Sequence, residues 1–475
     1  MTRSQNIPIV GEIPITQAPE DIFRLFLDGS YPIWLDSSLK LNHMSQWSFL
    51  ASDPFLIFRS KDDRIVLTEQ GRTEQVTGDP LELLREQLNR FHVGSTKIPI
   101  PFIGGAVGYL SYDLGRSLER LPDNTTDDLD VPDIHLAFYN VIVAFDHKSK
   151  RYYGVSSGLP LQGAEAKEKA IAEFEQIKSK LTLSKFRSFQ EVDAPRIKAQ
   201  QVRSFFTRKS YCEAVEQVKG YISLGEIYQA NLTQRFEAPL GLSAPSLYQR
   251  LRKTNPAPFA AFIDCGDDLK ILSSSPERFL RLDGRTVQTR PIKGTRPRGG
   301  SAQEDYSNGN ALLVSEKDQA ELTMIVDLER NDLGRVCTYG SVKVPELVTL
   351  EEYATVYHLV STIEGKLSTE RDIIDLIRAT FPSGSITGAP KIRAMEIIEK
   401  LEPTRRGIYT GSIGYIGFDG NADFNVAIRT LVNKGSEVHL QVGAGIVYDS
   451  EPELEYEETL YKAKALFQSL GIENS

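Results

Sequence analysis

The strongest constraint on how this chain folds is a pair of short β-rich runs, Phe279–Leu282 and Thr286–Thr289, with Asp283-Gly284 read as a two-residue turn in the three-residue gap Asp283-Gly284-Arg285 between them. So short a link between such runs leaves room only for a tight hairpin, and Asp-Gly suits the φ > 0 backbone of that turn. The two strands are therefore antiparallel neighbours. Pro291 follows at once and has no N–H to give to a ladder, so pairing is expected to end there. Lys293 then stands just past a strand end on a stiff stem, with Gly294 permitting close backbone approach. Arg296 and Arg298 flank Pro297. Three cations on one stiffened loop suit an acidic small molecule; a solvated basic turn is the plainer alternative.

The same antiparallel logic extends along the chain. Pro258–Asp264 and Leu269–Ser274 read as a second hairpin. Gly411–Phe418, Asp423–Leu431 and Glu437–Val442 read as a meander with turns at Asp419-Gly420 and Lys434-Gly435. Helical periodicity marks Thr207–Gly220, Ser315–Leu333, Ile373–Ala379, Ile392–Leu401 and Glu453–Leu470. Nearer the start, Phe102–Leu110 reads as a buried glycine-rich strand, Ala137–Ala144 as one continuous apolar strand, and Ala164–Lys180 as a charged helix. Strands in meanders with helices grouped between them define an α+β fold. A chain of 475 residues has room for roughly two to three domains. The polar, irregular stretch Phe186–Ala199 is the linker candidate. It divides an N-terminal region, 1–185, from a C-terminal region, 200–475, in what is expected to be one intertwined unit.

Composition removes several functions. The net charge of −9 disfavours nucleic acid as a partner. Three scattered cysteines, Cys212, Cys265 and Cys337, argue for a reducing compartment and against a disulfide framework or zinc cluster. The first residues lack an apolar signal region, and no run of about 18 apolar residues occurs, so a soluble, cytoplasmic protein with no membrane partner is expected.

Several residues carry candidate chemistry. Glu321 lies inside a helix, and Glu455 and Glu458, three apart, share a face of the last one. Carboxylates without histidine or cysteine nearby suit a hard cation such as magnesium, although acidic helix faces are usually just solvated. Gly443-Ala444-Gly445 follows a strand and suits either a backbone cradle for a carboxylate or tight strand packing. Arg429 ends an apolar strand, where an unpaired guanidinium is costly, so an anionic partner is expected, a structural Asp included. His358 sits in an alternating strand, where a histidine is more often structural than catalytic.

Six stretches, in order, are similar to the chorismate-utilising enzymes: PIKGTRPRG (291–299), AELTMIVDLERNDLGRV (320–336), YHLVSTIEG (357–365), FPSGSITGAPKIRAMEII (381–398), GSIGYIG (411–417) and QVGAGIVYDSEPELEYEET (441–459). They cover the chain from about Arg208 to its end; residues 1–150 match the family only loosely. The resemblance implies two facing antiparallel sheets with helices outside and the site between them. Lys293 stands where anthranilate synthases carry alanine and resembles the nucleophilic lysine of aminodeoxychorismate synthase component I. Gln229 falls where water-adding relatives keep a lysine base. The segment Asn255–Phe262 also looks more like the aminodeoxychorismate branch.

That branch implies magnesium-dependent amination of chorismate to 4-amino-4-deoxychorismate, toward 4-aminobenzoate and folate. By the same resemblance Glu277 is the general acid, Lys293 the nucleophile, and His358 an electrostatic active-site residue. Gly294, Thr295, Tyr409, Arg429, Gly443, Ala444, Gly445 and Lys462 hold substrate, and Glu321, Glu455 and Glu458 hold the metal. No cysteine lies in a glutaminase-type elbow, so ammonia is expected from a separate glutamine amidotransferase subunit. A tryptophan pocket, if present, is walled by Ser37, Met44, Ser45, Gln46, Trp47, Pro258, Phe259 and Ala260. Two alternatives stay open: anthranilate synthase component I, and a non-catalytic chorismate-binding subunit.

Overall fold

The computed structural model describes residues 6–39, 44, 46–94, 96, 99–186, 196–353 and 356–472. Two sheets, each of twelve strands, dominate it, and the strand pairs that build them are antiparallel. The first sheet runs Ile9–Ile13, Arg151–Ser156, Val141–Asp146, Trp47–Ala51, Ile33–Asp36, Phe259–Asp264, Leu269–Ser275, Thr430–Lys434, Glu437–Ile446, Gln229–Pro239 and Arg203–Ser204. The second includes Val356–Lys366, Thr286–Arg290, Arg278–Asp283, Ala422–Asn425, Ser412–Gly417, Gly105–Leu110, Ile134–Tyr139 and Leu56–Lys61. Each sheet thus takes strands from both sides of residues 186–199. Of that linker candidate, residues 187–195 lie outside the described residues.

Period-2 alternation explains how the layers form. Ile142 and Ala144 join a core that also holds Ala106, Leu136, Phe279 and Ile413 of the second sheet. Their neighbours Val143 and Phe145 join a different core. That second core is closed by the helices Ala244–Thr254 and Pro452–Leu470, through Leu247, Leu251, Ala463 and Leu466. Both faces of the first sheet are therefore covered, and its strands read as unbroken apolar runs for that reason. Rings meet across the sheets: Phe49 of the first lies edge-on to Tyr415 of the second at 6.0 Å. The helix Glu316–Gly334 packs Leu322 against Tyr357 and Leu359 of the second sheet.

Four readings from the sequence need correction. The run Ala137–Ala144 is two strands, Ile134–Tyr139 and Val141–Asp146, in different sheets. The chain changes sheet at buried Asn140, whose Nδ2 donates to both oxygens of Glu173 at 2.9 and 2.8 Å. Asp423–Leu431 likewise divides into Ala422–Asn425 of the second sheet and Thr430–Lys434 of the first, with Arg429 between them at φ 52°. The expected three-strand meander is therefore two hairpins in two sheets. The tight turn of the central hairpin is Gly284-Arg285, because Asp283 pairs with Thr286.

The fourth correction reaches the site. Pairing does not stop at Pro291. Thr289 lies opposite Ile363 and Ile292 opposite Val360, so the ladder resumes in the same register. Proline lacks a donor but keeps its acceptor, and the N–H of Ser361 donates to the Pro291 carbonyl at 3.2 Å. Lys293 is therefore a strand residue, opposite Leu359. The bulge follows it, between Lys293 and Thr295, where Gly294 has φ 69°.

Candidate active site

Two sheet crossings build the site. One is Pro276-Glu277, between Leu269–Ser275 and Arg278–Asp283; the other is 426–429. They are bonded to each other: Ser275 Oγ donates to the Val426 carbonyl at 2.6 Å, the Val426 N–H to the Glu277 carbonyl at 3.0 Å, and the Ser274 N–H to the Arg429 carbonyl at 3.0 Å. Backbone at a crossing cannot continue its ladder, so these mutual bonds hold it. Glu277 and Arg429 are thereby fixed on the wall of one cavity of 360 Å³.

That cavity collects nearly every candidate. Lys293, Glu277, His358, Gly294, Thr295, Tyr409, Arg429, Gly443, Gly445, Lys462, Glu321, Glu455 and Glu458 all line it. Ala444 does not; its methyl is buried with Val215 and Ile397 on the other face of the strand. The glycines beside it serve close packing. A Cβ at Gly443 would meet Thr233 Cγ2 at 2.5 Å, and one at Gly445 would meet Gln229 Nε2 at 2.3 Å. Arg298 lies outside this cavity, with its Nη2 at 2.5 Å from Asp305 Oδ2. Arg296 pairs with Asp318 at 3.3 Å. The three-cation loop is thus one cavity lysine and two committed arginines.

Electrostatics single out a few groups. Glu277 is 4% exposed, and burial pushes its carboxyl up to about 7, against hydrogen bonding from Ser385, the charge of Lys293 and the Ile292 N–H. Among the described residues its Oε1 has no hydrogen-bond partner. Lys293 Nζ donates to the Ser385 carbonyl at 3.1 Å. Burial lowers its amine; Glu321 and Glu277 oppose this, and the charge of Lys462 adds to it. His358 Nδ1 lies 3.0 Å from Thr295 Oγ1, and burial draws the ring down to about 4, so it is neutral near pH 7. Arg429 was expected to have an acidic partner. Among the described residues it has none: its Nη1 donates to the Lys462 carbonyl, and burial lowers it.

The three glutamates form an oxygen-only donor set that suits a hard cation in kind. The negative charge of Glu458 helps raise both Glu321 and Glu455, after burial. Among the described residues, however, no three His, Cys, Asp or Glu side chains converge as a metal cage. Glu458 is held by Lys462 at 2.6 Å and Glu455 Oε1 accepts from Ser450 Oγ at 2.6 Å. An entering cation would have to take Glu458 from Lys462.

Sequence reasoning passed over other lining residues, among them Tyr353, Ser385, Asn231, Thr233 and Gln441. Ser385 lies inside a recognised stretch, but a serine in a loop has no periodicity to reveal it. A second cavity, of 470 Å³, is lined by Ser37, Met44, Gln46, Trp47, Pro258, Phe259 and Ala260; Ser45 lies outside the described residues.

Two large antiparallel sheets with a charged cavity lined from both set the architecture, and comparison with known proteins supplies the class. The chain belongs to the family of chorismate binding enzymes, whose model matches residues 34–468. It is similar to aminodeoxychorismate synthase component 1 of Bacillus subtilis (strain 168), 38% identical over 432 residues and 90% of each chain. It is equally similar to anthranilate synthase component 1 of Thermus thermophilus, 41% identical over 440 residues and 92% of each chain. Anthranilate synthase component I from Streptococcus pneumoniae TIGR4, of known crystal structure, superposes with a TM-score of 0.76 at 32% identity, covering 90% of this chain and 94% of that one. Among the described residues no helix is long and apolar enough to cross a membrane.

Proposed function

We propose that the chain aminates chorismate at ring carbon 4, giving 4-amino-4-deoxychorismate, as aminodeoxychorismate synthase component I. The observation that carries this reading is Lys293: a half-buried lysine whose amine has a lowered proton affinity, in one cavity with a carboxyl poised near 7. Hydroxide is a poor leaving group, so its departure needs a proton. Glu277 supplies it as the carbon 4–oxygen bond breaks, while neutral Lys293 bonds to carbon 2. Ammonia then attacks carbon 4 and the lysine bond breaks, restoring the amine. Arg429, with no carboxylate partner among the described residues, and Tyr409 hold a substrate carboxylate. His358, kept neutral by burial, orients through Thr295. Glu321, Glu455 and Glu458 would hold magnesium, which when bound neutralises the substrate's ring carboxylate.

Anthranilate synthase component I is the second reading, favoured by the equal similarity to anthranilate synthases. Incubation with chorismate, magnesium and ammonium, followed by product mass and fluorescence, separates the two: a 4-amino product supports the first, and anthranilate with released pyruvate overturns it. Ammonia in the cell is proposed to come from a separate glutamine amidotransferase subunit. The isolated chain should then use ammonium but not glutamine. The cavity beside Trp47 is proposed as a tryptophan pocket.

A further inference from the structure

One buried carboxyl joins the two elements that carry Lys293 and its hydrogen-bond acceptor. Lys293 Nζ donates to the Ser385 carbonyl at 3.1 Å. Asn231 Nδ2 donates to the same oxygen at 3.0 Å, so both of its lone pairs are committed and its direction is set. The loop that carries Ser385 is held from behind. Ser383 Oγ accepts from the Ser385 N–H at 3.3 Å and donates to Glu329 Oε1 at 3.2 Å. The other oxygen of Glu329 accepts from Thr289 Oγ1 at 2.7 Å, in the strand Thr286–Arg290 that leads toward Lys293. Glu329, Ser383 and Ser385 are 4–5% exposed, and of the three only Ser385 lines the cavity. A Cβ at Gly384 would meet Leu328 Cδ2 at 2.7 Å, so the loop lies tight on the helix Glu316–Gly334. Glu329 thus sets the separation of Lys293 and the Ser385 carbonyl from outside the cavity.

We propose that the Ser385 carbonyl is the acceptor for the positive charge that Lys293 gains as it attacks, and that Glu329 and Ser383 are positioning residues that hold it there. The inference rests on Lys293 being the nucleophile. A neutral amine has two hydrogens and one lone pair. In the attack the pair forms the bond to carbon 2, the ring double bonds shift, and the carbon 4–oxygen bond breaks with the Glu277 proton, releasing water. Nitrogen keeps both hydrogens and becomes positive. Its N–H bond to the Ser385 carbonyl is then charge-assisted and stronger than in the ground state, which is the condition for lowering a barrier. An acceptor already aimed at the nitrogen needs no rearrangement at that moment. Ammonia then displaces the lysine, the charge passes to the new amino group, and Glu277 regains its proton from that group. The net change is chorismate and ammonia to amino product and water.

The test is a single turnover with chorismate and magnesium but no ammonia, in which the lysine adduct is followed by intact mass after acid quench. Ser383→Ala cuts the brace outside the cavity, and Glu329→Leu removes both of its bonds. Each should form the adduct about tenfold more slowly at saturating chorismate, with the dissociation constant for chorismate within about twofold of the parent. Glu329→Gln keeps an acceptor for Ser383 and offers a donor to Thr289, so it should react within about twofold of the parent rate. An unslowed adduct in Ser383→Ala overturns the proposal. So does a dissociation constant that rises as far as the rate falls, the mark of a loosened site. A Glu329→Gln rate as slow as that of Glu329→Leu also overturns it, since the charge of the carboxyl and not its bonds would then be the cause. If Glu329→Leu fails to fold, Ser383→Ala decides. No adduct in the parent refutes the nucleophile of the proposed function, and this inference with it; an adduct in the parent with unslowed variants refutes this inference alone.

Discussion

The cavity beside Trp47 and the cavity around Lys293 are of similar size, 470 and 360 Å³, yet they treat charge differently. In the first, the charged walls are settled within the protein. Arg278 grips Asp423 with two bonds of 3.0 and 3.1 Å, Arg281 meets Asp283 at 2.8 Å, and Asp36 meets Arg252 at 2.9 Å. In the second, among the described residues, Lys293 and Arg429 donate to carbonyls rather than to carboxylates, and Glu277 keeps an unbonded oxygen. Unpaired buried charge is costly and persists where a ligand is to complete it. The first cavity thus leaves a ligand mainly apolar wall to cover, and the second leaves charge for a ligand to meet.

Removing the cation should break this contrast most severely. A chelator in excess should abolish turnover while the thermal midpoint of the chelated protein moves little, because the fold does not depend on the three glutamates. Glu458→Gln keeps volume and removes charge, and should lose turnover without losing the fold. Full turnover in chelator would dismiss the metal site.

Next in size is Lys293→Ala. Losing the covalent route should reduce amination at carbon 4 about 100-fold or more, the scale of a lost acid–base group. Chorismate should still bind, because Arg429 and Tyr409 remain. The space opened beside carbon 2 should let ammonia attack there, giving some 2-amino product at high ammonia. A lysine adduct should be trapped in the parent and be absent from the variant. Carbon 4 amination at the parent rate would reduce Lys293 to an electrostatic contact and leave the lysine without weight in choosing the branch, which would then rest on Gln229 and the segment Asn255–Phe262.

A smaller effect follows from the buried acids. Glu277, Glu329 and Asp113 are raised by burial to about 7, 8 and 7. A carboxyl with a raised folded-state value contributes stability that is complete below its ordinary range and is lost as pH rises through the raised value. Below about pH 6.5 the buried histidines His135, His358 and His439, drawn down to about 3, 4 and 4, give the opposite trend, so the thermal midpoint should fall between about pH 6.5 and pH 8, and Glu329→Gln should flatten part of that fall. A midpoint that rises across this window would refute the assignment. Turnover should lose its acid limb where Lys293 protonates and its alkaline limb where Glu277 ionises.

What was legible in the sequence follows the range of each signal. The central hairpin and the helices Glu316–Gly334 and Pro452–Leu470 were legible because caps, turn residues and periodicity are local. The crossings at Asn140 and 426–429 were not, since strands buried on both faces show no alternation to mark where one sheet ends. Pro291 was misleading because a proline's missing donor is plain in the sequence while its remaining acceptor, which Ser361 uses, is not. The charged site residues stood out through motif resemblance, but their pairing did not. Nothing in the spacing said that Arg296 and Arg298 are committed to Asp318 and Asp305 while Lys293 is not. Ser383 and Ser385 gave no signal, because their value lies in two oxygen contacts that only the folded loop creates.

The smallest expected effect concerns the first cavity and would sharpen its half of the comparison. Its arginines and aspartates already hold one another, so a ligand there gains mainly by covering apolar walls such as Trp47, Phe49 and Tyr415. An aromatic amino acid fits that description, and tryptophan is the one proposed. A ligand bound only to the native state at 100 times its dissociation constant stabilises by about 2.7 kcal/mol. At about 2–4 °C per kcal/mol for chains of 150–250 residues, and less for one of 475, the thermal midpoint should rise by a few degrees. Ala260 lines the cavity and is 3% exposed, so Ala260→Leu places bulk where the ligand would lie. That variant should lose the tryptophan shift and keep chorismate turnover, since Ala260 borders none of the reacting groups. A shift that survives in Ala260→Leu puts tryptophan elsewhere, and no shift in the parent leaves the cavity without this ligand.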